Sequence, residues 1–399
     1  MAPLHENSEN EMEDEEILEV IEVDDEGPVE NEESDDSIFQ ILAHTDDVLR
    51  IEISNNLHWL ATGSMDDTCT VYDIESNSNE PYMCIKHTDS VEYVSFNFSS
   101  TLLATGDLKG QIFVTRLENK SMVCDIQDCL KEQNENDDDA PEALKFLFWH
   151  KTKDILIGGT GEGIVWAWII ENDEVADIKI FSCATNDPVV SAKLIPNSNQ
   201  LLAVYQDGFI RSWDLESTAK KELNLGSPCT QLDVHPTKSN IVAVGLEDET
   251  TVLVQLDKNA VFARFGDPVK NQQENEASNE NGGEVTAIAF CGSHPWLAVG
   301  KENGNLTIYD TNTKTTRVTI EHESSAIVSL LWESTKEAIY IISASYDGKI
   351  RVMDARDGKI LKLLSAGTEI FELIKFAKPN EPLKLIAACA EGVVKMFDL

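Results

Sequence analysis

Trp59-Leu60-Ala61-Thr62-Gly63-Ser64-Met65-Asp66-Asp67-Thr68-Cys69-Thr70-Val71-Tyr72-Asp73 is the stretch on which the fold turns. An apolar run, a short acidic turn and an alternating run closed by an aromatic residue and Asp read as two strands of a hairpin. Upstream lies Val48-Leu49-Arg50-Ile51-Glu52-Ile53 and downstream Met83-Cys84-Ile85, so the unit holds four short strands. Its third-strand ending returns as Thr115-Arg116, Trp168-Ile169, Trp213-Asp214, Val254-Gln255, Tyr309-Asp310, Met353-Asp354 and Phe397-Asp398. From Tyr72 onward the intervals are 43, 53, 45, 41, 55, 44 and 44 residues. A period of about 40–45 residues with four strands per unit is the signature of a β-propeller, and eight third strands predict eight blades. The two long intervals contain the polar, acidic inserts 131–142 and 267–284, which read as surface loops. Helical periodicity is not sustained over any comparable stretch, which excludes a helical solenoid.

The chain's end leaves a strand missing. It stops at Leu399, directly after the third strand of the eighth unit, while Ser37-Ile38-Phe39-Gln40-Ile41-Leu42 precedes the first unit as a spare strand. Pairing 37–42 with the last blade closes the ring and removes the open edges. The domain so defined spans 37–399. Before it, residues 1–36 contain 17 Asp or Glu and no Lys or Arg, too much like charge and too little apolar surface to fold alone. They read as a disordered acidic tail, with Ile17–Val23 as a short apolar patch inside it.

Composition narrows the function classes. With 72 Asp plus Glu against 31 Lys plus Arg, the net charge of −41 disfavours nucleic acid and anionic membranes as direct partners. Eight cysteines, scattered among apolar residues without a CxxC pair, read as reduced and buried thiols. The amino terminus has no basic and apolar signal-peptide pattern, and no run of 18 apolar residues occurs. The expectation is a soluble monomer in the cytoplasm, with the nucleus as a second compartment, and the sequons at Asn97 and Asn305 then carry no weight.

The repeat resembles the WD-repeat family, whose blades are held by a His, a Ser or Thr, an Asp and the Trp of the third strand. The resemblance implies a structural network of His44, Ser64 and Asp66, with Tyr72 in place of Trp, and further members at Asp207, Trp213 and Asp347. Counting six residues back from each third-strand mark puts Lys109 and Asn303 at the turn position, so those two blades are expected to hold by packing alone. A closer resemblance rests on Ser100–Asp107, Phe148-Trp149-His150 with Gly158-Gly159-Thr160, Val204–Arg211, Ile327–Glu333 and Met353–Lys359. These blocks look like the angio-associated migratory cell protein family and its fungal relatives. The fungal members are chaperones of a newly made large-subunit ribosomal protein, ribosomal protein ten. What the resemblance implies is capture of that protein's basic amino-terminal segment and transient contact with the pre-60S particle.

Catalytic readings are weaker. His44, Ser64 and Asp66 mimic a hydrolase trio, but a trio that belongs to blade packing supplies neither a cleft nor an oxyanion hole. Gly158–Gly163 sits between two strands, with no helix and no Lys after it, and reads as a hairpin turn and not a phosphate loop. Cys124 and Cys129 lack the spacing and companions of a zinc site. No metal, cofactor or enzymatic activity is expected.

The carboxylates are what remain. Turns that lead from one blade to the next and turns between second and third strands share one face of such a propeller. The first set carries Asp46, Asp47, Asp89, Glu284, Glu321 and Glu323, and the second Asp67, Glu247, Glu249 and Glu302. Glu92 and Glu372, near the start of first strands, are expected at the rim of the central channel, and Tyr346 offers a surface on which an Arg can stack. Such a rim suits a Lys/Arg-rich segment. The expectation is therefore an acidic binding platform, and the rival is a general scaffold or adaptor in signalling, trafficking or degradation, since fold alone separates neither.

Overall fold

A computed structural model of the chain describes residues 34–76, 79–126, 144–183, 187–266, 283–321, 325–336, 338–379 and 381–399. Within them lie eight four-stranded antiparallel sheets arranged as the blades of a propeller. The first blade spans Val48–Ile53, Trp59–Ser64, Thr68–Asp73 and Met83–Lys86, and the strands follow sequence order outward from the channel. Blades two to seven repeat this plan over 91–125, 144–181, 189–224, 229–265, 285–320 and 327–365. The eighth takes Ile370–Phe376, Lys384–Cys389 and Val393–Asp398 from the end of the described chain and Phe39–Leu42 from its start, with Phe39 opposite Met396 and Leu42 opposite Val393. The inserts at 131–142 and 267–282, and the bulk of the tail, lie outside the described residues.

Two sequence features build the ring. Second strands are mostly apolar because they lie in the middle of each blade, between neighbouring blades: Leu103, Leu201, Leu297 and Leu385 have no exposed surface. Near their ends, Gly245 and Gly300 admit the next blade; a Cβ there would come within 2.7 Å of Val285 and 2.8 Å of Ile327. Side chains from adjoining blades fill the space between, as where Trp166 and Trp168 stack at 6.2 Å within a cluster that reaches back to Tyr93 and Ile112. That packing, repeated eight times, is the core.

Every first strand also begins with a β-bulge, after Val48, Val91, Leu144, Val189, Cys229, Val285, Ile327 and Ile370. A bulge inserts one residue and bends the strand, so it re-aims the side chains that follow at the rim of the channel. Leu49, Glu92, Lys145, Val190, Thr230, Thr286, Val328 and Phe371 occupy the extra position.

The boundary of the acidic tail needs correction. Asp35 and Asp36 belong to the folded body: Asp35 bridges to Ala366, the Asp36 N–H donates to Ser365 O, and the Ser365 N–H donates back to the Asp36 carboxylate. Lys395, a lysine on a third strand and almost fully buried, donates to Asp35 at 2.8 Å and to Ala366 O at 2.5 Å. Burial works against the Asp35 charge, but the Lys395 bond and the Ser37 N–H outweigh it and hold its carboxyl below the ordinary range. The cause is local: a buried ammonium requires a carboxylate, and the chain supplies it from just before the closing strand. The thiols are also less uniform than expected, with Cys84 exposed and Cys124 and Cys183 half-buried.

Candidate functional site

The candidate site is the face formed by the blade-to-blade turns and the turns between second and third strands. In seven blades the two kinds of turn are tied by one repeated bond. The first residue of the inner turn donates its N–H to the carbonyl just before the first strand, as in Met65 to Asp47 at 3.0 Å, Glu302 to Glu284 at 2.9 Å and Tyr346 to Ala326 at 2.9 Å. Across their described residues, the turns of this face hold seventeen carboxylates and one cation, Lys109. On the opposite face the described turns hold nine carboxylates and ten Lys or Arg. The asymmetry belongs to one face and not to the chain's overall acidity.

Beneath these turns, side-chain networks set their shape. His44 Nε2 lies 2.7 Å from Thr62 Oγ1, and its Nδ1 lies 3.1 Å from Asp66 and 3.0 Å from Thr68 Oγ1. Burial is the main influence on His44 and lowers its pKa against the pull of Asp66. The hydroxyl under the imidazole is thus Thr62. Ser64 serves the turn, donating to Asp46 O at 3.0 Å and accepting the Asp66 N–H at 3.1 Å, and with its surface fully covered it is no nucleophile. Tyr72 donates to Ala43 O at 3.4 Å.

The second blade does not rely on packing alone. The count landed on Lys109, but the acid sits two residues earlier: Asp107 is fully buried, accepts the Gln111 N–H at 2.8 Å and the Thr88 hydroxyl at 3.1 Å, and faces His87 at 3.6 Å. His87 in turn lies 2.8 Å from Thr105. The two turns are equally long, with Gly63 opposite Cys69 and Gly106 opposite Ile112; Asp107 stands at the strand-end position that Ser64 holds in the first blade, outside the position counted. Asn303 also caps its own turn, accepting the Asn305 N–H at 3.1 Å. Asp207 is ion-paired with the buried Arg211, and Trp213 packs against Phe181 and Tyr205. Asp347 accepts from Ser345 at 2.5 Å and from its own turn, with Arg351 at 3.7 Å. The glycine run ends in a hairpin turn: Gly163 has φ +77°, and a Cβ there would meet Asp187 O at 2.4 Å.

The partner-facing carboxylates fall into three groups. Glu247, Glu284 and Glu302 converge on blades five and six, where burial, then Glu247 and Glu302, push the Glu284 carboxyl above the ordinary range. Asp67 is exposed, while Asp89 and Asp47 are partly engaged, by Lys109 at 3.4 Å and by the Glu391 N–H at 2.9 Å. Glu92 and Glu372 both line the central channel, a space of about 700 Å³. Glu372 lies one residue deeper than Glu92 and is part of the wall: it accepts from Arg50 at 3.0 Å and from the Ile51 N–H at 2.8 Å, bonding blade eight to blade one. An Arg on the neighbouring first strand was the signal that sequence reading missed. Tyr346 is 44% exposed, with Phe371 edge-on at 5.7 Å, and Glu323 lies outside the described residues.

No group of three or more His, Cys, Asp or Glu among the described residues is arranged to hold a metal ion. None of their helices is long and apolar enough to cross a membrane.

Known proteins share this plan. The WD domain, G-beta repeat, matches residues 36–73, and the nucleolar protein 10-like N-terminal β-propeller domain matches 190–398. Angio-associated migratory cell protein of Canis lupus familiaris is 30% identical over 91% of this chain and 80% of its own length, and ribosome assembly protein SQT1 of Saccharomyces cerevisiae is 21% identical over 94% and 90%. Among solved structures, Saccharomyces cerevisiae Sqt1 superposes with a TM-score of 0.76 at 18% identity, covering 92% of this chain and 99% of its own. Chaetomium thermophilum Sqt1 bound to the N-terminus of the ribosomal protein L10 does so at 0.72 and 18%, over 92% and 100%. A ring of eight WD-type blades with these relatives over nearly its whole length belongs to the angio-associated migratory cell protein family of WD-repeat propellers.

Proposed function

We propose that this protein is a ribosome-assembly chaperone that binds, on its acidic face, the Lys/Arg-rich amino-terminal segment of a large-subunit ribosomal protein of the L10 type. The observation that carries the reading is the contrast of seventeen carboxylates and one lysine on that face with nine and ten on the other. Summed like charge around a channel mouth raises the local concentration of a basic segment and competes with RNA for it. The relatives named as ribosome assembly protein and as bound to the L10 N-terminus support the choice of client. Capture in the cytoplasm and hand-over to the pre-60S particle complete the proposal; turnover chemistry has no part in it.

Charge reversal tests it. Glu302→Lys and Glu92→Lys place a cation where a client Lys or Arg would sit, and each is expected to cut capture of the client at least tenfold, about 1.4 kcal/mol, with an unchanged melting temperature. Undiminished capture by both folded variants would sink the acidic-face mechanism. Glu372→Lys is not a clean test, since it also breaks the Arg50 pair.

A general adaptor role is favoured by one feature only. On the opposite face Phe98, Phe148, Pro196 and Pro236 help line a space of about 600 Å³.

A further inference from the structure

The acidic face is not uniform around its ring. The repeated N–H bond makes the first residue of each inner turn equivalent from blade to blade, so their side chains can be compared position by position. On blades five and six these residues are Glu247 and Glu302, with Glu284 beside them. On blades seven, eight, one and two they are Tyr346, Ala390, Met65 and Leu108. At this one position the ring is therefore divided into an acidic arc and an apolar one, the apolar side chains standing among the other turn carboxylates.

The apolar sector is exposed where it counts. Tyr346 is 44% and Met65 45% accessible, and they are the large exposed apolar residues that lie in the described turns of this face. Other exposed apolar side chains, such as Ile180 and Leu363, lie on outer strands. Beside Tyr346 lies the bulge residue of blade eight, Phe371, half-buried and edge-on to it at 5.7 Å, and the equivalent bulge residue of blade one, below the turn that carries Met65, is the half-buried Leu49. An apolar patch rimmed by charge on a soluble surface marks a binding site, because leaving it in water costs free energy that a ligand recovers.

We infer that the segment this face captures is amphipathic: a Lys/Arg-rich stretch lies over Glu247, Glu284 and Glu302 while a bulky apolar side chain of the same segment seats on the arc that runs from Tyr346 and Phe371 to Leu49 and Met65. The inference rests on the acidic-face reading and adds an anchor to it. Charge alone steers encounter and leaves register undefined, whereas a desolvated aromatic or aliphatic anchor sets register and slows dissociation. Two sectors on neighbouring arcs of one mouth recognise the combination and reject a merely basic chain.

Two synthetic peptides test this, one of Arg, Lys and Ser with a single central Tyr, the other identical but with Ala in place of Tyr. Affinities are measured by fluorescence anisotropy against the whole protein, the Tyr346→Ser/Met65→Ser double variant and the Glu247→Lys/Glu302→Lys double variant, all in exposed turns and checked by melting curves. The Tyr peptide is expected to bind the unaltered protein on the order of tenfold more tightly than the Ala peptide. That advantage should vanish in the Tyr346/Met65 variant while the Ala peptide's affinity and salt dependence persist. The Glu247/Glu302 variant should weaken both peptides alike. Equal affinity of the two peptides for the unaltered protein, or an advantage that survives loss of Tyr346 and Met65, overturns the anchor and leaves the acidic-face reading standing. Failure of both peptides to bind at low salt overturns the acidic-face reading and the anchor together.

Discussion

Glu52, on the first strand of blade one, shows how a single carboxyl is governed by its place in the ring. Burial raises its pKa to about 8, against the hydrogen bonds from Ser95 and the Phe96 backbone that favour its charge. Because the folded-state value is raised, the stability linked to Glu52 is fully present below its ordinary value of 4.5 and is lost as pH climbs through about 8. Glu52→Gln should therefore flatten the fall in melting temperature between about pH 5 and pH 8, read by calorimetry, and an unchanged slope would remove Glu52 from the account. Asp107 makes a second residue-level case. Asp107→Ala strips the second blade of the bonds to Gln111 and Thr88 and is expected to cost on the order of 1–3 kcal/mol, comparable to Asp66→Ala, in denaturant titrations. A blade held by packing alone would lose almost nothing.

At the scale of the element, the closing strand Phe39–Leu42 is short and its own side chains are mostly exposed, so little of its hold on the ring comes from burial. Its anchorage includes the segment before it, where Asp35 meets Lys395 and Asp36 meets Ser365. Removing residues 1–33 should leave the melting temperature unchanged; removing 1–36 should lower it by leaving the Lys395 ammonium without its carboxylate; removing 1–42 should lower it further by opening the last blade. Thermal melts of the three truncations decide, and equal values for the first two would show that the Asp35 pair contributes nothing. The bulge at the head of each first strand is the other element with a consequence. By turning the following side chain to the rim, it places Glu92 and Lys145 on the channel mouth and gives each blade one residue with which to vary the site without disturbing its core.

For the whole molecule, the one-sided charge has a thermodynamic signature. Glu284 is pushed up by burial and by its acidic neighbours, so a cationic client that sits among Glu247, Glu284 and Glu302 should pull its pKa back down and release a proton. Affinity for a basic peptide is then expected to rise with pH from the ordinary carboxylate range upward until Glu284 is ionised in the free protein, and to fall as salt rises, since exposed charges more than about 8 Å apart are screened at physiological ionic strength. Calorimetry in buffers of different ionisation enthalpy would detect the released proton. Binding that is independent of both pH and salt would place the client elsewhere.

The period of the third-strand endings was enough to establish eight blades, because blade number depends on how often a local pattern recurs and local patterns are written in the chain. One-sided placement of the turn carboxylates was legible for the same reason: once strand order is known, each turn is assigned to a face. Sequence order could not tell which carboxylates are already engaged. Glu372 and Arg50 lie 322 residues apart and meet only because the ring closes, which turned a candidate client contact into part of the channel wall. The Asp107 network escaped the count because the acid stands at the strand-end position that Ser64 holds in the first blade and not in the turn, and only packed geometry shows that it faces His87. The division of the inner-turn positions into acidic and apolar arcs was likewise decided in three dimensions, since Tyr346 and Met65 stand far apart in the chain and come onto one arc only because blade eight, closed by the segment before the first blade, lies between blades seven and one.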